Sequence, residues 1–135
     1  MISVCMGTSQ KLSEHPNHKE HYQNLRARYT NCTYVQGNLE LTWLQDENLD
    51  LSFLEHIQGV SGYVLIYGVN VEKIILPSLK VIHGQTILSD FCEGCLISGE
   101  NAFVVSFSKI HNLEMPALRG NINIHKFRDC TIALM

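Results

Sequence analysis

Two cysteines three positions apart carry the clearest chemical signal in this chain of 135 residues. Cys92 and Cys95 form a C-x-x-C pair, a spacing found in metal sites and in thiol–disulfide redox centres. A zinc site needs two more ligands, and the loose candidates, His83 and Cys130, lie at no characteristic spacing. A redox pair also prefers a helix start in a β–α–β pattern, which is lacking here. A metal-binding or redox protein is therefore a minor alternative, and a local disulfide or two loop thiols is favoured.

Three histidines spaced by three are a second candidate metal site. His15, His18 and His21 could bind a metal if they shared one face of a helix. His15 precedes Pro16, however, and so lies before the predicted start of the helix. We therefore expect solvated histidines, with no metal and no cofactor. The chain also lacks the glycine-rich loop and the H-R-D and D-F-G motifs of a kinase, so we predict no catalytic residue and no enzyme activity.

The composition places the chain among ordinary folded domains. Hydrophobic residues make up 45% and charged residues 17%, enough for one domain with a packed core. A formal net charge of -3 argues against nucleic acid or an anionic membrane surface as a partner. No apolar run reaches the roughly 20 residues of a membrane span. The first residues also lack the basic and apolar regions of a signal peptide, so any such segments would lie outside this chain.

A repeat defines the elements that must position any site. The segments "GNLELTW", "GYVLIYG", "GQTILSD" and "GNINIHK" begin at Gly37, Gly62, Gly84 and Gly120, and "NAFVVSF" from Asn101 fits the same phase. Most carry apolar residues two and four positions after the start, the alternation of a half-buried strand. A repeat of 22 to 25 residues cannot bury its apolar side alone. We therefore predict a mainly β fold, a right-handed parallel β-helix or solenoid with inward Leu, Ile and Val.

The segment "PNHKEHYQNLRARYTNC" predicts a capping helix at the N-terminal end of this solenoid. Asn17 can cap the helix, with Glu20 three residues later as in a capping box. Tyr22, Leu25 and Tyr29 fall on one face at helical spacing.

The cysteines that flank this helix suggest a covalent link. A bridge between Cys5 and Cys32 would close a loop of about 27 residues and stabilise the cap by roughly 3–4 kcal/mol. Asn31-Cys32-Thr33 is also a glycosylation sequon, with Asn31 as the acceptor. A sequon beside a plausible disulfide favours a secreted setting.

Several of these stretches together resemble a known family. "VCMGTSQKLS", "NLRARYTNCTYVQGNLELTWL", "ENLDLSFLEHIQGVSGYVLI" and "LPSLKVIHGQTIL" resemble the first L domain of the epidermal growth factor receptor family, with wording nearest to insect members. The resemblance covers roughly residues 3–88 and resumes over "NAFVVSFSKIHNLEMPALR". It implies a right-handed β-helix capped by a helix and by a disulfide that maps onto Cys5 and Cys32.

The resemblance also implies a function and a site. The domain would form half of an extracellular clamp for EGF-like growth factors, with a second L domain and a cysteine-rich domain of the same receptor. In the whole single-pass receptor at the plasma membrane, ligand would favour a dimer and activate a cytoplasmic tyrosine kinase. A ligand strand would add to the sheet edge at Lys11–Pro16, with Leu12 and Glu14 as contacts. Trp43 would pack on the ligand, and a further contact maps to Gly68, where the family often carries a larger apolar residue.

Trp43 has a second interpretation. It shares its parity with Leu39 and Leu41, which points to a core tryptophan at a strand end. Strand ends twist, however, and a large aromatic residue is a good interface anchor. Both interpretations stay open on the sequence.

The chain departs from the family in two places. "FCEGCLISGE" stands where the family has a short polar connection. The L domain spans 3–130 and is expected to be incomplete at its C-terminal end, with 120–135 as a divergent tail. A missing last coil would expose core residues, which predicts poor solubility. An alternative function is that of a truncated secreted L-domain protein that sequesters ligand or receptor.

Overall fold

The computed structural model describes residues 2–8, 16–84, 102–106, 108–119 and 123–127. Leu12, Glu14, His15, Cys92, Cys95 and Cys130 lie outside these ranges. The described part is mainly strand, in agreement with the predicted class. Its elements in chain order are β1 (Val4–Met6), α1 (His18–Tyr29), β2 (Tyr34–Gln36), β3 (Leu39–Thr42), a 3-10 turn (Ser52–Leu54), β4 (Gly59–Val60), β5 (Val64–Tyr67), β6 (Asn70–Ile75), β7 (Val81–Ile82), β8 (Ala102–Ser106), β9 (Lys109–Glu114) and β10 (Asn123–Phe127).

The strands form small parallel sheets. The orders are β1-β2-β4-β7, β10-β8-β5-β3 and β6-β9. In the second sheet Leu39 pairs with Val64, and Val64 pairs with Phe103, which is the register that the repeat predicts. The strand predicted from Gly84 falls almost wholly outside the described residues, and β5 pairs directly with β8.

The last strand of this sheet lies two residues later than the repeat predicts. Ile124, rather than Ile122, pairs with Phe103. A shift of two residues preserves the side-chain parity of the strand, because successive side chains alternate between faces. The predicted register of β10 was therefore wrong by two residues, but the predicted alternation along the strand is kept.

The core lies on the face that the repeat predicts. Leu39, Val64 and Phe103 form one fully buried row across three strands. The corner residues that precede the strands are buried as well; they are Leu54, Ile57, Leu79 and Ile82. A single apolar cluster contains all of these side chains, together with Leu25 and Tyr29 of α1.

The opposite face of the same sheet differs from the expectation. Alternation predicts half-buried strands, but Glu40 and Thr42 of β3 are only 2% exposed. Leu65 and Val104, which continue the row of Glu40, are also fully buried. β3 is therefore buried on both faces, and its polar side chains can be buried because they have hydrogen-bond partners.

The predicted cap is confirmed. The Asn17 Oδ1 atom accepts a hydrogen bond from the Glu20 N–H at 3.0 Å, which satisfies one of the free donors at the start of α1. Leu25 and Tyr29 are buried, and Tyr22 packs at the edge of the core.

The predicted disulfide is also confirmed. Cys5 and Cys32 are joined, with their Cα atoms 5.8 Å apart. The bond links β1 to the end of α1 and so fixes the cap to the first sheet.

Candidate functional site

Trp43 and Gly68 occupy equivalent places at the ends of two neighbouring strands. Thr42 pairs with Tyr67 at the ends of β3 and β5, and the residues that directly follow them are Trp43 and Gly68. Both have positive φ, 53° at Trp43 and 66° at Gly68. This left-handed conformation costs a residue with a side chain roughly 1–2 kcal/mol. The Trp43 N–H nevertheless donates to the Tyr67 carbonyl at 3.0 Å, which holds the corner in register.

The indole of Trp43 lies directly against Gly68. A Cβ atom added at Gly68 would come within 2.7 Å of the Trp43 Cε3 atom, closer than real Cβ contacts allow. Gly68 is buried and its φ also favours glycine. The larger apolar residue of the family would have no room here, because the indole fills that space.

Trp43 is half-buried, which lies between the core residue and the exposed interface anchor that the sequence left open. Its ring meets the ring of Tyr67 edge to face, with centroids 5.5 Å apart and planes at 82°. Part of the indole therefore packs as core and part stays exposed. A rigid, partly exposed aromatic ring is the kind of side chain that anchors protein interfaces.

A cavity of about 490 Å³ opens beside Trp43, between α1 and the chain that follows β3. This volume lies within the range of ordinary ligand pockets. Gln45 helps to hold its wall, since the Gln45 Nε2 atom donates to the Gly68 carbonyl at 2.5 Å. The lining residues are His18, Lys19, Tyr22, Gln23, Trp43, Leu44, Gln45, Asp46 and Leu49.

α1 contacts this corner through a histidine. The His21 Nε2 atom lies 2.6 Å from the Thr42 carbonyl, one residue before Trp43. His21 is half-buried, so the expectation of a solvated side chain was wrong for this residue, whereas His18 is exposed. Among the described residues no three histidine, cysteine or acidic side chains are grouped closely enough to hold a metal.

Sequence reasoning missed a buried polar cluster on the outer face of β3. The Glu40 carboxylate accepts hydrogen bonds from the Tyr63 hydroxyl at 2.7 Å and from the Thr8 hydroxyl at 2.5 Å. The predicted alternation buries one face of the strand, with Leu39 and Leu41, and gives no reason to expect that Glu40 is buried as well. The one available signal was a carboxylate between two core leucines, which by itself does not distinguish an exposed side chain from a buried one.

The sequon lies at the other end of α1 from the cavity. Asn31 is exposed and has a positive φ of 64°. The Thr33 hydroxyl donates to the Ser3 carbonyl at 3.0 Å, so this turn is tied to the start of the chain. The structure thus brings Trp43 and Gly68 together and places Asn31 on the surface, while Leu12 and Glu14 lie outside the described residues.

Within the described ranges, two ionisable groups have shifted pKa values. Burial raises the pKa of the Tyr29 phenol to about 12; the charge of Arg28 opposes this shift and the charge of Glu40 adds to it. The Tyr29 hydroxyl has no hydrogen-bond partner within the described part of the chain. At Asp50, hydrogen bonds from the Ser52 backbone and side chain hold the carboxyl pKa below its usual value.

Comparison with known proteins gives a consistent result. Residues 31–131 match the family model of the receptor L domain. The chain is 50% identical over 120 residues, 89% of its length, to the epidermal growth factor receptor of Drosophila melanogaster. It is 42% identical over 84 residues, 62% of its length, to the epidermal growth factor receptor of Gallus gallus. It is 41% identical over 88 residues, 65% of its length, to the human receptor tyrosine-protein kinase erbB-4.

The match covers a small part of each relative. The aligned region amounts to 8%, 12% and 7% of the fly, chicken and human proteins, respectively. No helix in the described ranges has the length and apolar character needed to cross a membrane.

Proposed function

Because the chain belongs to the receptor L domain family, we propose that it is a ligand-binding module of an ectodomain related to the epidermal growth factor receptor. Its partner would be an EGF-like growth factor, held between this domain and a second L domain. The matched region is an L domain rather than a kinase domain, so the proposed activity is binding and not catalysis.

We also propose that the parallel strands form a right-handed β-helix. In-register pairing supports this architecture, since each strand of the second sheet pairs in parallel with the strand of another repeat. Leu39, Val64 and Phe103, at the same position of three repeats, form a continuous buried row, as in stacked solenoid coils.

The observation that carries the binding proposal is the corner formed by Trp43 and Gly68. The half-buried indole rests on a glycine, meets Tyr67 edge to face and lines a cavity of ligand size. A ring held in this way loses little freedom when a partner binds, which favours affinity. A ligand strand would add at Lys11–Pro16, contact Leu12 and Glu14 and place an apolar side chain against Trp43.

The setting that we propose is the outer face of the plasma membrane. A disulfide and an exposed sequon asparagine fit an oxidising, secreted environment. The partners would include the second L domain and the cysteine-rich domain of the same receptor, and a receptor dimer in the full-length protein.

Binding is tested with recombinant EGF-like domains titrated into the folded chain by calorimetry. Trp43→Ala should weaken binding at least tenfold, because a central aromatic anchor typically contributes 2 kcal/mol or more. Tyr34→Ala is a matched control, since Tyr34 is also a half-buried aromatic residue but lies in the first sheet. A single L domain supplies half of the clamp, so the wild-type affinity should be weak.

The outcomes of this titration are separable. Equal affinity of Trp43→Ala and wild type, with both folded, would remove Trp43 from the site. Failure of the wild-type domain to bind any EGF-like domain, alone or joined to a second L domain, would overturn the proposed function.

The location is tested by secreting the chain from insect cells behind a heterologous signal peptide. Glycosidase treatment should reduce the mass of the wild-type protein and leave Asn31→Gln unchanged. A wild-type protein without a glycan would count against the extracellular setting.

A further inference from the structure

The peptide unit that joins Thr42 to Trp43 is held on both of its sides. Its N–H, which belongs to Trp43, donates to the Tyr67 carbonyl at 3.0 Å. Its carbonyl, which belongs to Thr42, lies 2.6 Å from the His21 Nε2 atom. A peptide unit is planar, so hydrogen bonds at both of its ends fix its orientation. The φ angle of Trp43 describes rotation about the bond that directly follows this unit.

The Thr42 carbonyl points away from β5 and toward α1. β3 is the last strand in the order of its sheet, and the Trp43 N–H donates toward β5. Neighbouring residues of a strand direct their backbone groups to opposite edges, so the Thr42 carbonyl faces the outer edge of the sheet. Thr42 is only 2% exposed, and a buried carbonyl needs a donor. His21 supplies that donor when its Nε2 atom carries a proton, either as the neutral Nε2–H tautomer or as the imidazolium.

The backbone of Trp43 needs this support more than an ordinary strand residue does. Its φ of 53° is unfavourable for a residue with a side chain. Such a conformation persists where the surrounding structure fixes it. The contact with His21 comes from α1, whereas the contact with Tyr67 comes from the sheet. Helix and sheet therefore hold the Trp43 corner together.

We propose that His21 is a positioning residue for partner binding: by donating to the Thr42 carbonyl, it keeps the Trp43 indole in the orientation that presents its exposed part to a partner. This inference rests on the proposed growth-factor binding through Trp43. His18 and Tyr22 of α1 line the cavity beside the indole, and His21 does not. His21 thus acts through the backbone of the anchor rather than by touching the partner.

A measurement without ligand tests the link between His21 and Trp43. Trp43 is the only tryptophan of the chain, so its fluorescence reports this corner directly. His21→Ala removes the donor and should raise the acrylamide quenching constant roughly 1.5-fold, because the corner opens to solvent more often. His21→Gln keeps a side-chain N–H at a similar distance from the backbone and should restore the wild-type value.

Arg28→Met is the matched control for this measurement. The Arg28 Nη1 atom donates to the Met6 carbonyl at 2.8 Å, so it also joins α1 to the backbone of a strand. Arg28 lies in the last turn of the helix, whereas His21 lies near its start. Arg28→Met should therefore leave the quenching constant of Trp43 unchanged. A rise equal to that of His21→Ala would overturn the inference, because general loosening of the helix would then explain both.

The affinity for recombinant EGF-like domains, measured by calorimetry on the same proteins, tests the consequence for binding. His21→Ala should weaken binding about fivefold, as expected for the loss of one hydrogen bond. His21→Gln and Arg28→Met should stay within about twofold of wild type. A lower melting temperature of His21→Ala with unchanged quenching and affinity would reduce His21 to a structural role and overturn the inference. Failure of His21→Gln to restore quenching and affinity would do the same.

The two measurements keep this inference apart from the proposed function. If the quenching constants change as expected but the wild type binds no EGF-like domain, His21 still positions Trp43 and the proposed function fails. If the wild type binds and His21→Ala binds equally well, the proposed function stands and the role of His21 in binding is overturned.

Discussion

Trp43 and Gly68 occupy equivalent positions directly after two adjacent strands, yet one has the largest side chain of the twenty and the other has none. Both end a strand of the same sheet, and both have a left-handed backbone. The indole of Trp43 covers Gly68 so closely that no Cβ atom fits there. Stacked repeats thus need not carry similar residues at equivalent positions, because the volume at one corner can be supplied from its neighbour.

Loss of the glycine should have the largest effect on this pair. Gly68→Ala combines a left-handed alanine with a collision against the indole, so we expect the free energy of unfolding to fall by about 3 kcal/mol. Urea denaturation measures this change. Gly37→Ala measures a backbone cost without a collision, since Gly37 has a positive φ of 108° and an added Cβ would meet nothing closer than 3.8 Å. A loss at Gly68→Ala that is just as large when Trp43 is also alanine would show that backbone conformation alone matters at Gly68.

Removal of the Trp43 indole should have the second largest effect on stability. Trp43→Ala should reduce the free energy of unfolding by about 2 kcal/mol, because the ring is half-buried rather than in the core. The positive φ adds an unusual expectation: Trp43→Gly should be more stable than Trp43→Ala by about 1 kcal/mol. The reverse order in urea denaturation would mean that the corner relaxes once the ring is removed.

A double mutant should show how far the two corners depend on each other. Without the indole, Gly68→Ala loses its steric cost and keeps only the backbone cost. The Trp43→Ala/Gly68→Ala protein should therefore be about 1–2 kcal/mol more stable than the two single losses predict. If the losses in free energy of unfolding are additive, Trp43 and Gly68 act independently and the indole does not determine the residue at Gly68.

Substitution of Tyr29, a fully buried aromatic residue of α1, should change the free energy of unfolding least at neutral pH. It therefore serves as a reference for the substitutions at Trp43 and Gly68. Tyr29→Phe removes a hydroxyl that has no partner in the described ranges, and the free energy of unfolding should change by less than about 1 kcal/mol. The folded phenol has a pKa of about 12, whereas the unfolded phenol ionises near the ordinary tyrosine pKa of 10.0. Above pH 10 the unfolded state therefore binds fewer protons, and stability falls as the pH rises.

The difference between wild type and Tyr29→Phe at high pH separates ionisation of Tyr29 from the ionisation of other groups. By pH 12 the wild type should have lost on the order of 2–3 kcal/mol that Tyr29→Phe retains. Denaturation of both proteins between pH 9 and 12 measures the difference. Parallel curves for the two proteins would show that Tyr29 does not ionise on unfolding.

The sequence predicts the core better than the site. Period-two alternation identified Leu39 and Val64 as buried partners, because one face of a strand needs a continuous apolar row. The cap followed from a local rule at Asn17, and the disulfide followed from two cysteines that flank the predicted helix, 27 positions apart. These signals depend on neighbouring residues, on a repeat or on the two ends of one helix.

The site depends on contacts that no local rule contains. The resemblance indicated Trp43 and Gly68. It did not indicate that the Trp43 ring excludes a side chain at Gly68, an arrangement that depends on the positive φ angle of each residue. The burial of Glu40 could not be predicted, because alternation describes a strand buried on one face and the partners of Glu40, Thr8 and Tyr63, are 32 and 23 residues away. Such long-range hydrogen bonds leave no periodic trace in the sequence.

The two pairings of β5 enclose very different lengths of chain. Leu39 and Val64 are 25 positions apart, whereas Val64 and Phe103 are 39 apart. The entropy of loop closure grows only with the logarithm of length, so the longer connection costs just about 0.4 kcal/mol more. In terms of loop closure alone, the 14 additional positions between β5 and β8 are therefore nearly neutral for stability. Cys92 and Cys95 fall in this connection, and the added sequence leaves the in-register pairing of β5 with β8 intact.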